Sequence, residues 1–285
     1  MINIGQFNRL KVVRMAEFGY YLNGDTDSTR DDILLPSRST LGRELNVGDE
    51  VEAFIYRDSK DRLIATLKTP LATVGELAYL KVVSTGDFGA FVDFGLERDI
   101  LVPFKEQRYT LEEGYKYLLY VYVDKSGRLA ATTDIEYRLE ENNDYSIGEE
   151  TYGIVYEVQK SGSLLVAVEG KYKGIVLKSE YYNYVHIGEE LKLTVKKFYE
   201  DERIGLTTRG RKLEERDKIQ ERILNYLKEN GGHMEFNDKS SAEDIRRTFN
   251  TSKNYFKIAL GGLMKKKLIT QDENGTTLKK EEVLK

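Results

Sequence analysis

The sequence predicts three tandem all-β barrels of five strands each, followed by an α+β winged helix-turn-helix domain. Short segments rich in Val, Ile, Tyr and Leu recur through residues 1–210 between Gly, Asp and Asn turns, as is typical of β-strands. After residue 210 the spacing of apolar residues changes from two to about 3.6, the period of an α-helix. A repeated β region is therefore joined to a different C-terminal domain.

The first two repeats share three motifs. Both contain a Lys-Val-Val sequence, an aromatic-Gly segment and an apolar run that ends in proline. In that order the motifs lie at residues 11–13, 17–23 and 33–36 of the first copy and at 81–83, 87–94 and 100–103 of the second. The first copy also has a longer polar loop at 24–32, where an insertion costs little free energy.

A third, diverged repeat begins near residue 147. Its strands are expected to start at Thr151, to cross 164–168 and 174–177, and to close at 191–198 and 204–207. An OB-fold, which is a five-stranded barrel, suits all three repeats because closure removes exposed strand edges. The predicted domains are three OB-folds at 1–70, 71–145 and 146–210 and a winged helix at 211–285.

The winged helix is predicted from the order of its elements. The first expected helix has Ile219, Ile223, Tyr226 and Leu227 on one face and ends at Gly231-Gly232. A short strand at 233–236 follows, and then a second helix capped by Ser241. A third helix begins at Ser252, and a hairpin turns at Asn274-Gly275. In the third helix we expect Phe256, Leu260, Leu263 and Met264 to be buried, with close packing as the reason for Gly261-Gly262.

Residue usage excludes several kinds of chemistry. The chain has no cysteine, and its two histidines, His186 and His233, lie in different predicted domains. Neither a serine nucleophile motif nor histidines at metal-binding spacing occur, so we expect no enzymatic activity, metal or cofactor. No segment is apolar enough for a signal peptide or a membrane span. A cytoplasmic protein without membrane contact is expected.

Charge is distributed unevenly although the net charge is only -4. Of the four predicted domains, only the winged helix at 211–285 contains more Lys and Arg than Asp and Glu. Three lysines of the third helix, Lys253, Lys257 and Lys265, are expected opposite its buried face, where they can bind phosphate. A charged face of this kind is also typical of a solvated surface.

Aromatic residues of the second strands are candidates for stacking bases. In the second repeat Ala90 and Val92 alternate with Phe91 and Asp93, and the charge of Asp93 marks the outer face. Phe91 is therefore expected to be exposed, and the same alternation places Tyr21 outside the first barrel. An exposed ring offers a platform for an unstacked base. The alternative is that these are ordinary barrel aromatics.

The aromatic-Gly strand, the apolar run and a closing hairpin with Asp and Arg resemble the RNA-binding domain of ribosomal protein S-one. Three such domains followed by a winged helix resemble the conserved virulence factor B family of bacteria, known for RNA binding and post-transcriptional effects on gene expression. The resemblance implies RNA contacts by two aromatics, an Asp and an Arg in each of two repeats. These residues are Phe18, Tyr21, Asp58 and Arg62 in the first repeat and Phe88, Phe91, Asp124 and Arg128 in the second.

The S-one pattern is incomplete in this chain. Its histidine is missing from all three repeats, whose apolar runs end in Pro36, Pro103 and Leu177. The third repeat has Ser161 and Leu164 at the aromatic positions. Its face formed by Leu164, Val166 and Val168 is apolar, and we expect that face to pack against a neighbouring domain. The Asp of each Asp-Arg pair is also explained without RNA, because Asp is favoured in turns, where its side chain accepts hydrogen bonds from the backbone.

Three hypotheses follow. The first is a regulator that binds single-stranded RNA through the barrels. The second is a regulator that binds duplex DNA through the winged helix, with Lys253, Asn254 and Lys257 in the groove. The third is a scaffold that docks an RNA-processing protein.

Overall fold

The computed structural model describes residues 2–279 except 25, 27, 142–143, 183 and 209–211, and it describes only the backbone of 212–215. Lys280 and the predicted junction between the third barrel and the winged helix lie outside the described residues. Within them the chain forms three closed β-barrels and a C-terminal domain of helices and a small sheet.

Each barrel contains five strands. Barrel 1 consists of β1 (Phe7–Ala16), β2 (Gly19–Leu22), β3 (Ile33–Pro36), β4 (Glu50–Arg57) and β5 (Leu63–Thr66). Barrel 2 consists of β6 (Leu77–Gly86), β7 (Gly89–Val92), β8 (Ile100–Pro103), β9 (Lys116–Val123) and β10 (Leu129–Thr132). Barrel 3 consists of β11 (Glu150–Val158), β12 (Leu164–Val168), β13 (Tyr172–Val176), β14 (Glu190–Phe198) and β15 (Ile204–Thr207).

The three barrels share one topology. The first strand pairs antiparallel with the second and the fourth, and the third pairs in parallel with the fifth. A bulge recurs in each first strand, at Val13, Val83 and Tyr156. The predicted fold class of tandem OB-like barrels is therefore confirmed.

Alternation along the strands builds the cores. In barrel 2 Ala90 and Val92 are buried, as is Phe94 just beyond the strand, whereas Asp93 is exposed. The inward residues of barrel 1, such as Val12 and Leu22, are fully buried in the same way. Removing such side chains from water provides most of the stabilisation of each barrel.

Barrels 1 and 2 share a continuous apolar interface. The rings of Phe54 in barrel 1 and Phe94 in barrel 2 have centroids 6.2 Å apart. Next to them the side-chain amide of Gln6 donates to Val74 O over 2.6 Å, and the backbone N–H of Leu71 donates to Phe94 O over 2.9 Å. Apolar packing with directional hydrogen bonds fixes the relative orientation of the two barrels.

Barrels 2 and 3 are joined by a separate apolar cluster. Barrel 2 and the segment that follows it contribute Leu118, Ile135 and Leu139, while barrel 3 contributes Ile154, Tyr156, Leu165 and Ala167. At the edge of this cluster the Tyr79 hydroxyl donates to Gly188 O over 2.5 Å. Barrel 2 therefore packs against a neighbouring barrel on two sides.

The C-terminal domain has the predicted winged-helix order. Its elements are α1 (Lys212–Glu229), β16 (His233–Met234), α2 (Ala242–Phe249), α3 (Lys253–Lys265), β17 (Ile269–Asp272) and β18 (Gly275–Leu278). Ser241 caps α2, with its hydroxyl oxygen accepting from Asp244 N over 3.1 Å. The domain contacts barrel 3, because the Arg246 guanidinium donates to Tyr182 O over 2.8 Å.

Two details of α3 differ from expectation. Met264 is exposed, and Ala259 is buried beside Phe256, Leu260 and Leu263 instead. Both the predicted and the observed sets span an arc of about 100°, so the buried face is the predicted one rotated by about 40° towards Ala259. Gly262 packs closely, since a Cβ there would lie 2.0 Å from Gln220 Nε2, but Gly261 faces open space.

None of the described helices combines the length and the apolar character that crossing a membrane requires.

Candidate nucleic-acid interface

An exposed phenylalanine marks the same turn in barrels 1 and 2. Phe18 and Phe88 have 58% and 75% of their surface exposed. The glycine that follows each one adopts φ of +153° or +150°, and a Cβ at Gly89 would lie 2.1 Å from Val102 O. Only glycine allows this close approach of the second strand to the third, so the aromatic-Gly pair places a ring at the barrel surface.

The second ring of each platform is half-buried, although exposure was predicted. Tyr21 is covered on one face by the Arg14 guanidinium, whose carbon lies 3.7 Å from the ring centroid. Phe91 pairs across the strands with Ser84, which is too small to cover the ring in this way. The outward direction was predicted correctly, but neighbouring strands hide part of each ring. Among the described residues no cation stacks on Phe91 as Arg14 does on Tyr21.

A groove of three adjoining hollows runs across both platforms. The first, of about 900 Å³, lies beside Tyr21, and the second, of about 560 Å³, lies beside Phe18. The third, of about 670 Å³, is lined by Phe88 and Phe91 of barrel 2 and by the β4–β5 turn of barrel 1. The two predicted platforms therefore open into one groove.

Asp58 and Arg62 form the predicted pair in barrel 1. The Arg62 guanidinium donates to Asp58 Oδ2 from Nη2 over 2.7 Å and from Nε over 3.0 Å, while the other carboxylate oxygen accepts from Lys60 N and Arg62 N. Burial alone would raise the pKa of Asp58, but these hydrogen bonds outweigh burial and lower it below its ordinary value of 3.8. Arg62 thus stays at the rim of the groove.

Arg128 has a different partner from the one implied by the S-one pattern. Its guanidinium reaches barrel 1 and forms a two-pronged ion pair with Asp61, with N–O distances of 2.5 and 2.7 Å. Asp124 instead accepts from Ser126 and from the backbone N–H of Arg128. In barrel 2 the recurring arginine therefore joins two barrels, and any contact with a ligand would compete with Asp61.

The structure corrects the alignment of the third barrel. Equivalent cross-strand pairs are Val82 with Val92 and Ser84 with Phe91 in barrel 2, and Val155 with Val166 and Glu157 with Leu165 in barrel 3. Leu165, and not Leu164, therefore occupies the position of Phe91. Counting back three residues gives Gly162, and not Ser161, at the position of Phe88. A shift of one residue exchanges the two faces of a strand.

The corrected alignment reverses which face of β12 meets barrel 2. Leu164, Val166 and Val168 belong to the core of barrel 3 itself. Leu165 and Ala167, on the other face, pack against barrel 2. Docking on a neighbouring domain was predicted correctly, but through the wrong side chains. At the position where barrels 1 and 2 carry an aromatic platform, barrel 3 is covered by its neighbour.

Arg203 repeats the behaviour of Arg128 in a more enclosed setting. Its Nη2 lies 2.8 Å from Glu136 Oε1, and the other oxygen of Glu136 accepts from the Tyr156 hydroxyl. Burial, together with the adjacent carboxylate, strongly raises the pKa of Tyr156. Because Glu136 follows barrel 2 and Arg203 lies in barrel 3, this network locks these two barrels together.

The predicted lysines of α3 are not equivalent. Lys257 and Lys265 are exposed, whereas Lys253 is partly covered and donates to Lys239 O over 3.2 Å. Ile258, at 47% exposure, and Met264, at 40%, also lie at the surface of this helix. The exposed side of α3 therefore combines cations with apolar side chains.

Four residues of the interface were missed from the sequence. Arg14 stacks on Tyr21, while Arg38 and Arg98 line the groove. Phe104 is 58% exposed, and its N–H donates to Phe88 O over 3.1 Å. A signal existed for one of them, since Arg38 follows Pro36 at the spacing that separates Lys105 from Pro103.

The described residues contain no group of three or more His, Asp or Glu side chains arranged to hold a metal ion.

Comparison with known proteins identifies the domain families to which the barrels and the C-terminal domain are similar. The S1 domain family matches residues 4–68 and 74–134, and the CvfB-like winged helix domain matches 221–278. Conserved virulence factor B of Staphylococcus epidermidis is 30% identical over 286 residues, covering 97% of this chain and 95% of that protein. The chain belongs to the conserved virulence factor B family. Its S1 matches coincide with the two barrels that carry aromatic platforms.

Two further proteins are similar to this chain over almost its whole length. The uncharacterized protein YitL of Bacillus subtilis is 33% identical over 287 residues, covering 97% of this chain and 93% of that protein. The crystal structure of a multidomain protein with nucleic acid binding domains from Streptococcus pneumoniae is 29% identical, with a TM-score of 0.54, covering 97% of this chain and 98% of the other. S1 domains and a winged helix indicate nucleic-acid binding.

Proposed function

We propose that this protein is a non-catalytic, cytoplasmic regulator of gene expression that binds single-stranded RNA without a cofactor or metal. The observation that carries the proposal is the groove shared by the aromatic platforms of barrels 1 and 2. Unstacked bases are flat and apolar on both faces, so exposed rings beside arginines suit them. A duplex hides its bases and does not fit such platforms.

In this proposal the aromatic rings stack on bases and the basic side chains contact phosphates. Bases stack on Phe18, Phe88 and Phe91. Tyr21 contributes less to stacking, because the Arg14 guanidinium covers one face of its ring. Arg62 lies at the groove and supplies positive charge to phosphates. Asp58 and Asp124 shape the turns, and Lys257 and Lys265 of α3 hold the RNA beyond the barrels. Arg62, Lys253 and Arg128 are each already engaged within the protein, so each of them binds phosphate only in competition with its internal partner.

The test is the double variant Phe88→Ala, Phe91→Ala, with anisotropy of labelled single-stranded RNA, single-stranded DNA and duplex DNA measured across a salt series. Loss of stacking lowers RNA affinity by about 5-fold to about 150-fold for each base released. Tyr137→Ala is the control, because that ring is 83% exposed and does not line the groove. Equal RNA binding by all three proteins contradicts the proposal, as does a preference for duplex DNA.

A second candidate function is protein docking through α3. Ile258 and Met264 on its exposed side favour an apolar partner surface, such as that of an RNA-processing protein, over the polar groove of duplex DNA. The variant Ile258→Ser, Met264→Ser should then leave RNA binding by the isolated protein unchanged. Loss of RNA affinity in this variant would place α3 in the RNA interface instead.

A further inference from the structure

We propose that barrels 1 and 2 form one continuous binding site, in which a single RNA strand passes from one platform to the other across Arg98. This inference rests on the proposed function, because it assumes that the platforms bind RNA. It goes further by making the two barrels one site with a defined crossing point. Two independent sites on one chain are the alternative.

Continuity follows from the residues that line the three hollows. The hollows beside Tyr21 and Phe18 share the Asp58 and Arg62 side chains in their walls. The hollow beside Phe18 and the one beside Phe88 share Tyr56, Ser59 and Arg98. Because neighbouring hollows share lining residues, a strand that leaves one platform reaches the second by crossing only residues that line both hollows.

Arg98 is placed to hold the backbone at this crossing. It lies on the loop between β7 and β8 of barrel 2, yet it lines the hollow beside Phe18 of barrel 1. Its side chain is exposed, and within the described part of the chain it forms no ion pair or hydrogen bond. Arg38, in contrast, is bound to Glu97 over 2.8 Å. An uncommitted guanidinium binds phosphate without first losing a partner.

The junction is rigid enough to act as one surface. The Asp61–Arg128 ion pair spans it on the groove side, and the Arg57 guanidinium donates to Gly127 O over 3.2 Å. Beneath these contacts lies the packing of Phe54 on Phe94. Platforms held at a fixed separation lose little entropy when both are occupied, which favours simultaneous binding of one strand.

Barrel 3 cannot extend the same track. Leu165, at the position of Phe91, is 4% exposed and lies in the contact with barrel 2. The aromatic track therefore comprises two platforms within the described residues.

The experiment compares oligouridine RNAs of about 5 and about 15 nucleotides, lengths chosen to fill one or both barrels. Calorimetric titration of the full chain should give one long RNA per protein, bound about 10² to 10⁴ times more tightly than the short RNA. Phe18→Ala and Phe88→Ala should each weaken that same single binding event. Two long RNAs per chain, one removed by each variant, would overturn the continuous site while leaving RNA binding intact.

Arg98→Ala tests the crossing point. We expect this variant to bind the long RNA about tenfold more weakly, the size of one charge-assisted hydrogen bond. Arg43→Ala is the matched control, an exposed arginine of barrel 1 that does not line the three hollows. Equal affinities of the two variants would overturn the role of Arg98. If neither RNA binds the wild-type chain, the proposed function fails, and the continuous site fails with it.

Discussion

Barrels 2 and 3 use the same surface for opposite purposes. Phe91 and Leu165 occupy equivalent positions on the second strand, and Val83 and Tyr156 occupy equivalent bulges on the first. In barrel 2 this surface faces the groove, whereas in barrel 3 it is buried against the preceding barrel. One backbone can therefore present either a ligand platform or a docking face. The difference depends on whether another domain covers it.

The recurring arginine of the closing hairpin shows a similar contrast. Arg62 pairs within its own barrel, while Arg128 and Arg203 each reach the preceding barrel or the segment after it. The pair formed by Arg128 is about half exposed, but the pair formed by Arg203 is three-quarters buried. The same residue type at the same turn is thus expected to contribute unequally to stability.

The largest effect should come from Leu165→Asp. This change places an unpaired carboxylate in the apolar contact between barrels 2 and 3 and should lower the free energy of unfolding by about 3 kcal/mol or more. Phe91→Asp is the matched change at the equivalent position of barrel 2, where the carboxylate can be solvated in the groove. It should lower the free energy of unfolding by less than half as much. Urea denaturation followed by circular dichroism measures both. Equal losses would mean that the two surfaces are not differently covered.

A smaller difference is expected between Arg203→Ala and Arg128→Ala. The first leaves Glu136 without its cation in a partly enclosed site and should cost about 2 kcal/mol of unfolding free energy. The second removes a solvent-exposed pair and should cost at most about 1 kcal/mol, with a cost that shrinks at high salt. Denaturation at low and high ionic strength separates the two. A larger, salt-independent cost for Arg128→Ala would reverse the comparison.

The smallest expected effect is a pH dependence of stability that comes from Asp58 in barrel 1. The folded-state pKa of Asp58 is lowered below 3.8, so its contribution to stability is present above that pH and is lost as pH falls through the folded-state value. Asp58→Asn should therefore be less stable than wild type at pH 6, by less than about 1 kcal/mol, and this difference should shrink as the pH falls below 3.8. Barrel 3 has Tyr199 at this position and lacks the effect. A difference that is constant with pH would contradict the assignment.

Much of the fold was predictable because it depends on short-range patterns. The alternation of Ala90, Val92 and Phe94 identified the buried face of barrel 2, and Ser241 identified the start of α2. The face of β12 was predicted wrongly because all five of its residues are buried, so no polar residue marks an outer side. The partner of Arg128 was missed because Asp124 is near in sequence and Asp61 is not.

The sequence by itself determined the barrels, the winged helix, the aromatic-Gly turns and the direction of each platform ring. These features follow from interactions between residues close in the chain or repeated at a regular period. Only the tertiary structure decided that the platforms of barrels 1 and 2 meet in one groove, and that the corresponding face of barrel 3 is covered by barrel 2. The physical reason is that docking depends on the fit between surfaces formed by distant segments, which no local pattern encodes.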